Sequence, residues 1–166
     1  MPVARARCVA LLGVEGRIVD VEAYVSNGTP GLTLVGLPDA TLHEARDRVR
    51  AALLNSDEVW PNRRMLVSLS PADLPKRGSH FDLCIAVALV ATVSEIPPDA
   101  LEGLLLLGEL GLDGRVRPVP GVLPAVLTAA HQGLRRVVVP EANAAEASLV
   151  PHIAVLGVRS LRQVLA

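Results

Sequence analysis

The sequence predicts an α+β fold in which helices pack against a mixed β-sheet. Three observations lead to this prediction. Two long β-rich segments begin the chain, a nearly continuous apolar run of helix length lies in its middle, and strand and helix signals alternate through the second half. With 166 residues, the chain is long enough for one domain with its own core and too short for two comfortable ones. We therefore expect a single domain over residues 1–166.

The first three strands are predicted to follow one another closely. Residues 3–13 and 16–26 are β-rich and flank a glycine-containing turn, and a short strand, LTLVG, follows the turn at 27–31. The apolar members of the second segment are Ile18, Val21, Ala23 and Val25. Short connections favour an antiparallel arrangement of these three strands.

Two helices and one strand are predicted next. The segment 37–56 has helical spacing, and Thr41 with Glu44 is a possible capping box at its start. Its apolar stripe consists of Leu42, Ala45, Val49, Ala52 and Leu53. The strand RMLVSLS leads into a loop and then into an almost entirely apolar helix at about 80–93. Such a helix must be buried on most of its sides.

The second half repeats strand and helix. LLLLGEL reads as a strand, GLDGRVRPV as a turn and strand, and 121–131 as a helix. RRVVVP, EANAAEASLV, IAVLGV and SLRQVLA then predict a strand, a short helix, a strand and a last helix. This alternation indicates a parallel or mixed part of the sheet.

Composition excludes several classes of protein. A net charge of −1 argues against a general nucleic-acid coat but leaves a local basic patch open, and 2% aromatic residues weaken any proposal of base stacking. The longest apolar run, 83–93, is too short to span a bilayer. The N-terminus lacks a signal-peptide pattern. We expect a cytoplasmic protein without membrane contact.

The residues of this segment indicate neither an ATP site nor a metal site. The chain has no G-x-x-x-x-G-K-[ST] motif, and its single lysine is Lys76, so we expect no ATP site in this segment. The four histidines do not occur at metal-ligand spacing, so no metal site is expected. Cys8 and Cys84 lie in apolar runs and are interpreted as free buried thiols.

The stretch SPADLPKRGSHFDL, residues 70–83, is the strongest candidate for a site. A serine at a helix N-terminus can be a nucleophile, provided that a base lies within hydrogen-bond reach. Alternatively, Ser79 is the N-cap of the following helix, and Asp82 completes a capping box. Spacing alone favours the cap without excluding the nucleophile.

This loop, together with GELGLDGRVRPVPG at 108–121, resembles the proteolytic domain of Lon, a serine–lysine protease. The resemblance implies a Lon-like fold, similar also to the second domain of ribosomal protein S-five. It places the nucleophile position on His80, one residue after Ser79, and the base-lysine position on Leu123. Since leucine cannot take a proton, we expect no catalytic residues and regard Ser79, His80 and Leu123 as a degenerate site.

A closer resemblance covers almost the whole chain. PGLTLVGLPDA, EARDRVRAALLNS, SPADLPKRGSHFDL and GELGLDGRVRPVPGVLPA resemble the N-terminal domain of the ComM/YifB family of magnesium-chelatase-like AAA+ ATPases. The resemblance implies a following AAA+ domain that binds ATP and Mg²⁺, and a hexamer that drives DNA branch migration in recombination and natural transformation. Because this sequence stops without that motor, it is either a domain of the longer protein or a stand-alone interaction module.

A basic cluster suggests how such a domain acts. The expected DNA-binding residues are Arg46, Arg50, Arg63, Arg64, Lys76 and Arg77. Guanidinium groups suit phosphates. The alternatives are a solvated salt-bridge face in which Glu44 pairs with Arg48, contact with neighbouring subunits, and residual peptidase activity.

Overall fold

The structure, a computed structural model, describes residues 3–94 and 96–165. Its strands are β1 Val3–Leu12, β2 Glu15–Ser26, β3 Gly31–Val35, β4 Arg64–Ser70, β5 Leu104–Leu106, β6 Glu109–Leu110, β7 Val116–Arg117, β8 Arg136–Pro140 and β9 Ala154–Val158. Its α-helices are α1 Asp39–Asn55, α2 Asp82–Val93, α3 Val122–His131, α4 Ala144–Ala147 and α5 Leu161–Leu165. Short 3₁₀ turns cover Pro98–Ala100 and Glu141–Asn143. The predicted α+β class, a mixed sheet with packed helices, is confirmed.

Seven strands form one mixed sheet in the order β3-β4-β2-β1-β5-β8-β9, and β6 and β7 form a separate hairpin. β1 with β2 and β2 with β4 are antiparallel, whereas β1 with β5, β5 with β8 and β8 with β9 are parallel. The expected antiparallel start is correct for β1 and β2 but wrong for β3. That strand pairs in parallel with β4, because the chain crosses over through α1 before β4 begins.

Burial explains the register of the sheet. In β2 the buried residues are Val19, Val21, Ala23 and Val25, so Val19 completes the apolar face and Ile18 lies half-buried on the other one. In β1, Cys8, Val9 and Ala10 are all buried. Because successive side chains of a strand point to opposite faces, the sheet is covered on both sides at β1. The consecutive buried valines 137–139 of β8 show the same pattern in the parallel half.

The two long helices of the first half confirm their predicted stripes but not their predicted caps. In α1, Ala45, Val49, Ala52 and Leu53 are buried. The helix begins after Pro38, whose carbonyl accepts from Leu42 N at 2.8 Å, so Thr41 and Glu44 lie inside the first turns and form no capping box. Helix α2 is buried from Asp82 to Val90 and packs against β1, β2 and α1.

Gly36 connects β3 to α1 where no other residue fits. Its φ is +101°, and a Cβ atom would lie 2.4 Å from the carbonyl oxygen of Leu69. Only glycine adopts this backbone without strain and without colliding with β4. Gly36 therefore allows the chain to pass directly beside β4 on its way from β3 to α1.

Two sequence-based expectations concern the surroundings of the core. Cys8 and Cys84 are free and buried, as predicted, and burial raises the pKa of Cys8 to about 12, so this thiol is unreactive near neutral pH. In the described part of the chain, no helix combines the length and the apolar character that crossing a bilayer requires.

Candidate functional site

The two stretches that carry the resemblance to Lon meet at the start of α2. Gly108 N donates to the carbonyl of His80 at 3.1 Å, and Leu83 N donates to the carbonyl of Gly108 at 3.1 Å. Leu110 N donates to the Asp82 carboxylate at 3.1 Å. Three hydrogen bonds thus fasten the segment 108–110 across the loop and the first turn of α2, although about 30 residues separate the two stretches in sequence.

A buried ion pair fixes this junction to α1. Arg48 donates to both carboxylate oxygens of Asp82, from Nε at 2.6 Å and from Nη2 at 3.1 Å. The Asp82 side chain is 1% exposed and that of Arg48 is 20% exposed. Burial raises the pKa of Asp82 to about 6, and the arginine opposes that rise. The bidentate geometry holds α1 and α2 in one relative position.

Ser79 is not a helix cap. Its hydroxyl donates to Glu109 Oε2 at 2.5 Å, and α2 begins after Phe81 with no side-chain cap. The capping box predicted for Ser79 and Asp82 is therefore wrong, because each side chain has a partner on another segment. Helix α2 is held at its start by tertiary contacts instead of by local capping.

His80 points into the protein. Its Nε2 lies 2.7 Å from the carbonyl oxygen of Val9, which assigns the proton to Nε2 as donor. Burial lowers the pKa of His80, so the ring is neutral at pH 7. The ring also packs against Phe81, with 4.2 Å between centroids. The residue at the Lon nucleophile position is thus a half-buried structural side chain bonded to β1.

Lys76 cannot take the place of the missing base. Its Nζ donates to the carbonyls of Pro71 at 2.5 Å and Leu74 at 3.0 Å, and the side chain is 1% exposed. Burial lowers its pKa, while Asp73 opposes that effect. Since the carbonyl groups hold its protons inside the loop, Lys76 serves the loop's own conformation. Its expected place on a DNA-binding face is contradicted, because a buried ammonium cannot reach phosphate.

Among the described residues, the two positions that match the Lon nucleophile and base are His80 and Leu123 and hold no serine–lysine pair. Leu123 is a half-buried residue of α3 that packs on the core. Ser79 bonds a carboxylate, and among the described residues no third group hydrogen-bonds Glu109 to orient it as a base. Covalent catalysis needs a nucleophile, a base and a group that positions the base. None of the described His, Cys, Asp and Glu side chains form a group that could hold a metal ion either.

The remaining predicted arginines lie apart from this loop, on α1 and at the start of β4. Arg50 is exposed, and its guanidinium lies 5.7 Å from the centre of the Trp60 ring. Arg46 lies one helical turn earlier, with Nη2 3.1 Å from His43 Nδ1. Arg63 and Arg64 follow Trp60 in the chain, and Arg64 is exposed. For brevity we call Arg46, Arg50, Trp60, Arg63 and Arg64, which belong to α1 and to the segment leading into β4, the basic face; the contact that links the two segments is that of Arg50 with Trp60. Arg77 is exposed on the separate loop.

Ion pairing divides the arginines into two groups, and the arginines of the basic face belong to the group without ion pairs among the described residues, together with Arg77, Arg117, Arg135 and Arg136. Among the described residues, none of its four arginines has a carboxylate oxygen within 4.0 Å. The arginines that do form ion pairs are Arg5, Arg7, Arg17, Arg48, Arg115, Arg159 and Arg162. The predicted Glu44–Arg48 pair is present at 3.8 Å. It does not neutralise Arg46 or Arg50, because residues two apart lie about 200° around the helix.

Sequence reasoning missed two members of these sites. Arg48 was expected to pair on the surface, yet its stronger partner is the buried Asp82. Trp60 received no role, since a lone aromatic gives no pattern. Arg48 lies two positions from both Arg46 and Arg50, about 200° around the helix from each, and this spacing was the available signal that it faces a different side of α1.

Comparison with known proteins identifies the family. Residues 21–143 match the family described as subunit ChlI of Mg-chelatase. The chain belongs to this family. Its match covers the loop, the segment 108–110, α1 and the basic face, so every part of the candidate site lies within the ChlI region.

The relatives of this ChlI domain are longer proteins. It is 55% identical to an uncharacterised protein of Mycobacterium tuberculosis, over 98% of this chain and 32% of that protein. It is 45% identical to YifB of Salmonella typhimurium, over 90% of this chain and 29% of that protein. It is 46% identical to the competence protein ComM of Haemophilus influenzae, over 85% of this chain and 28% of that protein. The chain thus spans a third or less of these relatives, and it corresponds to the N-terminal domain of the ComM/YifB family.

A more distant similarity supports the Lon-like fold. The ChlI domain is 30% identical to the Lon protease of Mycolicibacterium smegmatis, over 86% of this chain and 19% of that protein. The resemblance predicted from the two motifs therefore extends over most of the chain.

Proposed function

We propose that this ChlI domain is the non-catalytic N-terminal domain of a ComM-family AAA+ ATPase and that its basic face engages DNA. The basic face carries the proposal, because it presents four arginines without carboxylate partners among the described residues. Phosphate oxygens are the natural partners of unpaired guanidinium groups. Contacts of this kind bind DNA without regard to sequence.

The state of the Lon-like site supports a binding role over a hydrolytic one. His80 is bonded to Val9, Ser79 to Glu109, and Lys76 to two carbonyls of its own loop. All three polar side chains that could serve in proteolysis are engaged in holding the fold. A peptidase built on these residues would have to break one of these bonds before each reaction.

The proposed activity of the whole protein lies outside this segment. We propose that the following AAA+ domain binds ATP and Mg²⁺, that the full protein assembles as a hexamer in the cytoplasm, and that it drives branch migration of DNA in recombination and natural transformation. The name of ComM, a competence protein, supports this assignment. The intact mass of the native gene product tests it directly, since a motor requires several hundred further residues.

Salt dependence tests the DNA contact. Binding of a fluorescein-labelled 30-base-pair duplex is measured by anisotropy between 50 and 300 mM NaCl. If the four arginines each meet a phosphate, log K falls against log salt with a slope of about −3 to −4. Trp60 is the single tryptophan of the chain, so its fluorescence reports binding at the same face without a label.

Matched double variants identify the face. The variant Arg50→Gln with Arg64→Gln removes two positive charges from the basic face, and Arg117→Gln with Arg135→Gln removes two from exposed positions elsewhere. We expect the first pair to reduce the magnitude of the salt slope by about 2 and the second to leave it nearly unchanged. Equal losses in both would show that net charge alone governs binding. Absence of binding at 50 mM salt would refute the DNA contact.

A further inference from the structure

An apolar groove lies at the β8–β9 edge of the sheet, at the opposite end from the basic face. Its volume is about 530 Å³, and strands β5, β8 and β9 form its floor. Val87 of α2, Ile96 and Leu101 also line it, as do Val164 and Leu165 of α5. Leu156, in the edge strand β9, contributes a side chain that is 54% exposed.

The groove has little to offer a polar ligand. Arg136 is the charged residue in its lining, and its Nη2 already donates to the carbonyls of Ala100 at 3.0 Å and Glu102 at 3.1 Å. The other lining residues are aliphatic side chains and a proline. A contiguous apolar surface of this kind on a water-soluble domain marks a contact site. Its occupant must therefore present an apolar face.

We infer that the β8–β9 groove receives the segment that continues the chain after residue 166 in the longer protein. The inference rests on the proposed function, because it requires such a continuation. Val164 and Leu165 of α5 line the groove, so a segment that follows α5 in the longer proteins begins beside it. Relatives of this domain are about three times as long, which supplies the chain to fill it.

Covalent attachment to α5 makes binding of the following segment more favourable than binding of a separate molecule. A segment attached directly to α5 reaches the groove at an effective concentration in the millimolar range, without the entropy cost of a second molecule. A modest apolar contact is then enough to hold it. In the sheet order, four strands lie between β3 and β8, so a motor docked here leaves the basic face on β4 and α1 open.

Hydrogen exchange compares the native gene product with the 166-residue chain. We expect amides in 153–158 and 101–106 to exchange about tenfold more slowly in the long protein, because a docked segment covers them. Amides of β3, at the far edge, serve as the internal control and should exchange equally in both. Equal exchange in the groove strands would overturn the inference and leave the proposed DNA contact untouched.

A substitution that places a charge in the groove provides a second test of the inference. Leu156→Glu, made in the long protein, should return the exchange of 153–158 to the rate of the short chain. Leu149→Glu is the matched control, since Leu149 is 72% exposed and does not line the groove. Neither variant should change the salt slope of DNA binding, so failure of the groove and failure of the basic face appear in different measurements.

A second copy of the chain is the competing occupant. Sedimentation velocity of the 166-residue chain should show a monomer at micromolar concentration. A dimer that Leu156→Glu dissociates would assign the groove to self-association and overturn the inference. A native gene product that ends near residue 166 would do the same, because no segment would remain to dock.

Discussion

Replacing Arg48 with methionine tests how the degenerate site is held together. The substitution keeps most of the aliphatic volume but leaves the Asp82 carboxylate, 1% exposed, with Leu110 N as its remaining hydrogen-bond donor among the described residues. Breaking a buried ion pair from one side costs roughly 3–5 kcal/mol. Because Arg48 is itself 20% exposed and Asp82 can take up a proton, we expect the lower end, about 3 kcal/mol. For a chain of this size that lowers Tm by about 6–12 °C.

The loss of stability caused by Arg48→Met should depend on pH in a defined direction. The pKa of Asp82 is raised from 3.8 to about 6 in the folded protein, so the stabilisation that protonation of this carboxyl supplies is present in full below pH 3.8 and lost as pH rises through 6. Removing Arg48 removes the group that lowers this pKa, which then rises further. A protonated Asp82 needs no cation. The destabilisation by Arg48→Met should therefore be largest above pH 7 and smaller at pH 5.

Urea unfolding followed by circular dichroism at pH 5, 6, 7 and 8 provides the measurement. Glu44→Gln is the control, because Glu44 lies 3.8 Å from Arg48 with a side chain 72% exposed, and its loss should change stability by less than about 0.5 kcal/mol. A loss below about 1 kcal/mol for Arg48→Met, or one of equal size from pH 5 to pH 8, would refute our account of this pair.

Three further predictions concern single positions. Lys76→Met should destabilise the fold by about 1–3 kcal/mol in urea unfolding, because the loop loses the two hydrogen bonds that this buried side chain donates, whereas Arg77→Met on the same loop should cost less than about 0.5 kcal/mol. A serine-reactive fluorophosphonate should not label Ser79 in intact-mass spectra, and labelling would restore the peptidase interpretation. Gly36→Ala should lower stability by more than about 2 kcal/mol, since its φ of +101° and the Leu69 carbonyl both exclude a Cβ; a neutral result would contradict that geometry.

Local pattern predicted most of the elements. Helical spacing identified the buried stripe of α1, and the strand RMLVSLS matches β4 residue for residue. The continuous apolar run predicted that α2 is buried, which follows from composition alone because such a helix has no polar side to expose. Resemblance to the ChlI and Lon families was equally readable, since its motifs are contiguous in the chain.

Partners distant in sequence were not predictable in this way. Ser79 has the spacing of a helix N-cap, but its hydroxyl donates to the carboxylate of Glu109, 30 positions away in the chain. A lysine in a polar loop appears solvent-exposed until the loop folds back on it, as happens to Lys76. The parallel pairing of β3 depended on where β4 was placed after the crossover through α1. The short connections that precede β3 carry no information about that placement.

By itself, the sequence determined the elements, the fold class and the family of this protein, because periodicity and contiguous motifs are properties of neighbouring residues. The tertiary structure alone decided which arginines form ion pairs and which do not, and that Ser79, His80 and Lys76 are each hydrogen-bonded to another part of the fold. It also decided where an apolar groove stays open. These outcomes depend on distances between segments far apart in the chain, and the free energy of each charge is set by what surrounds it after folding.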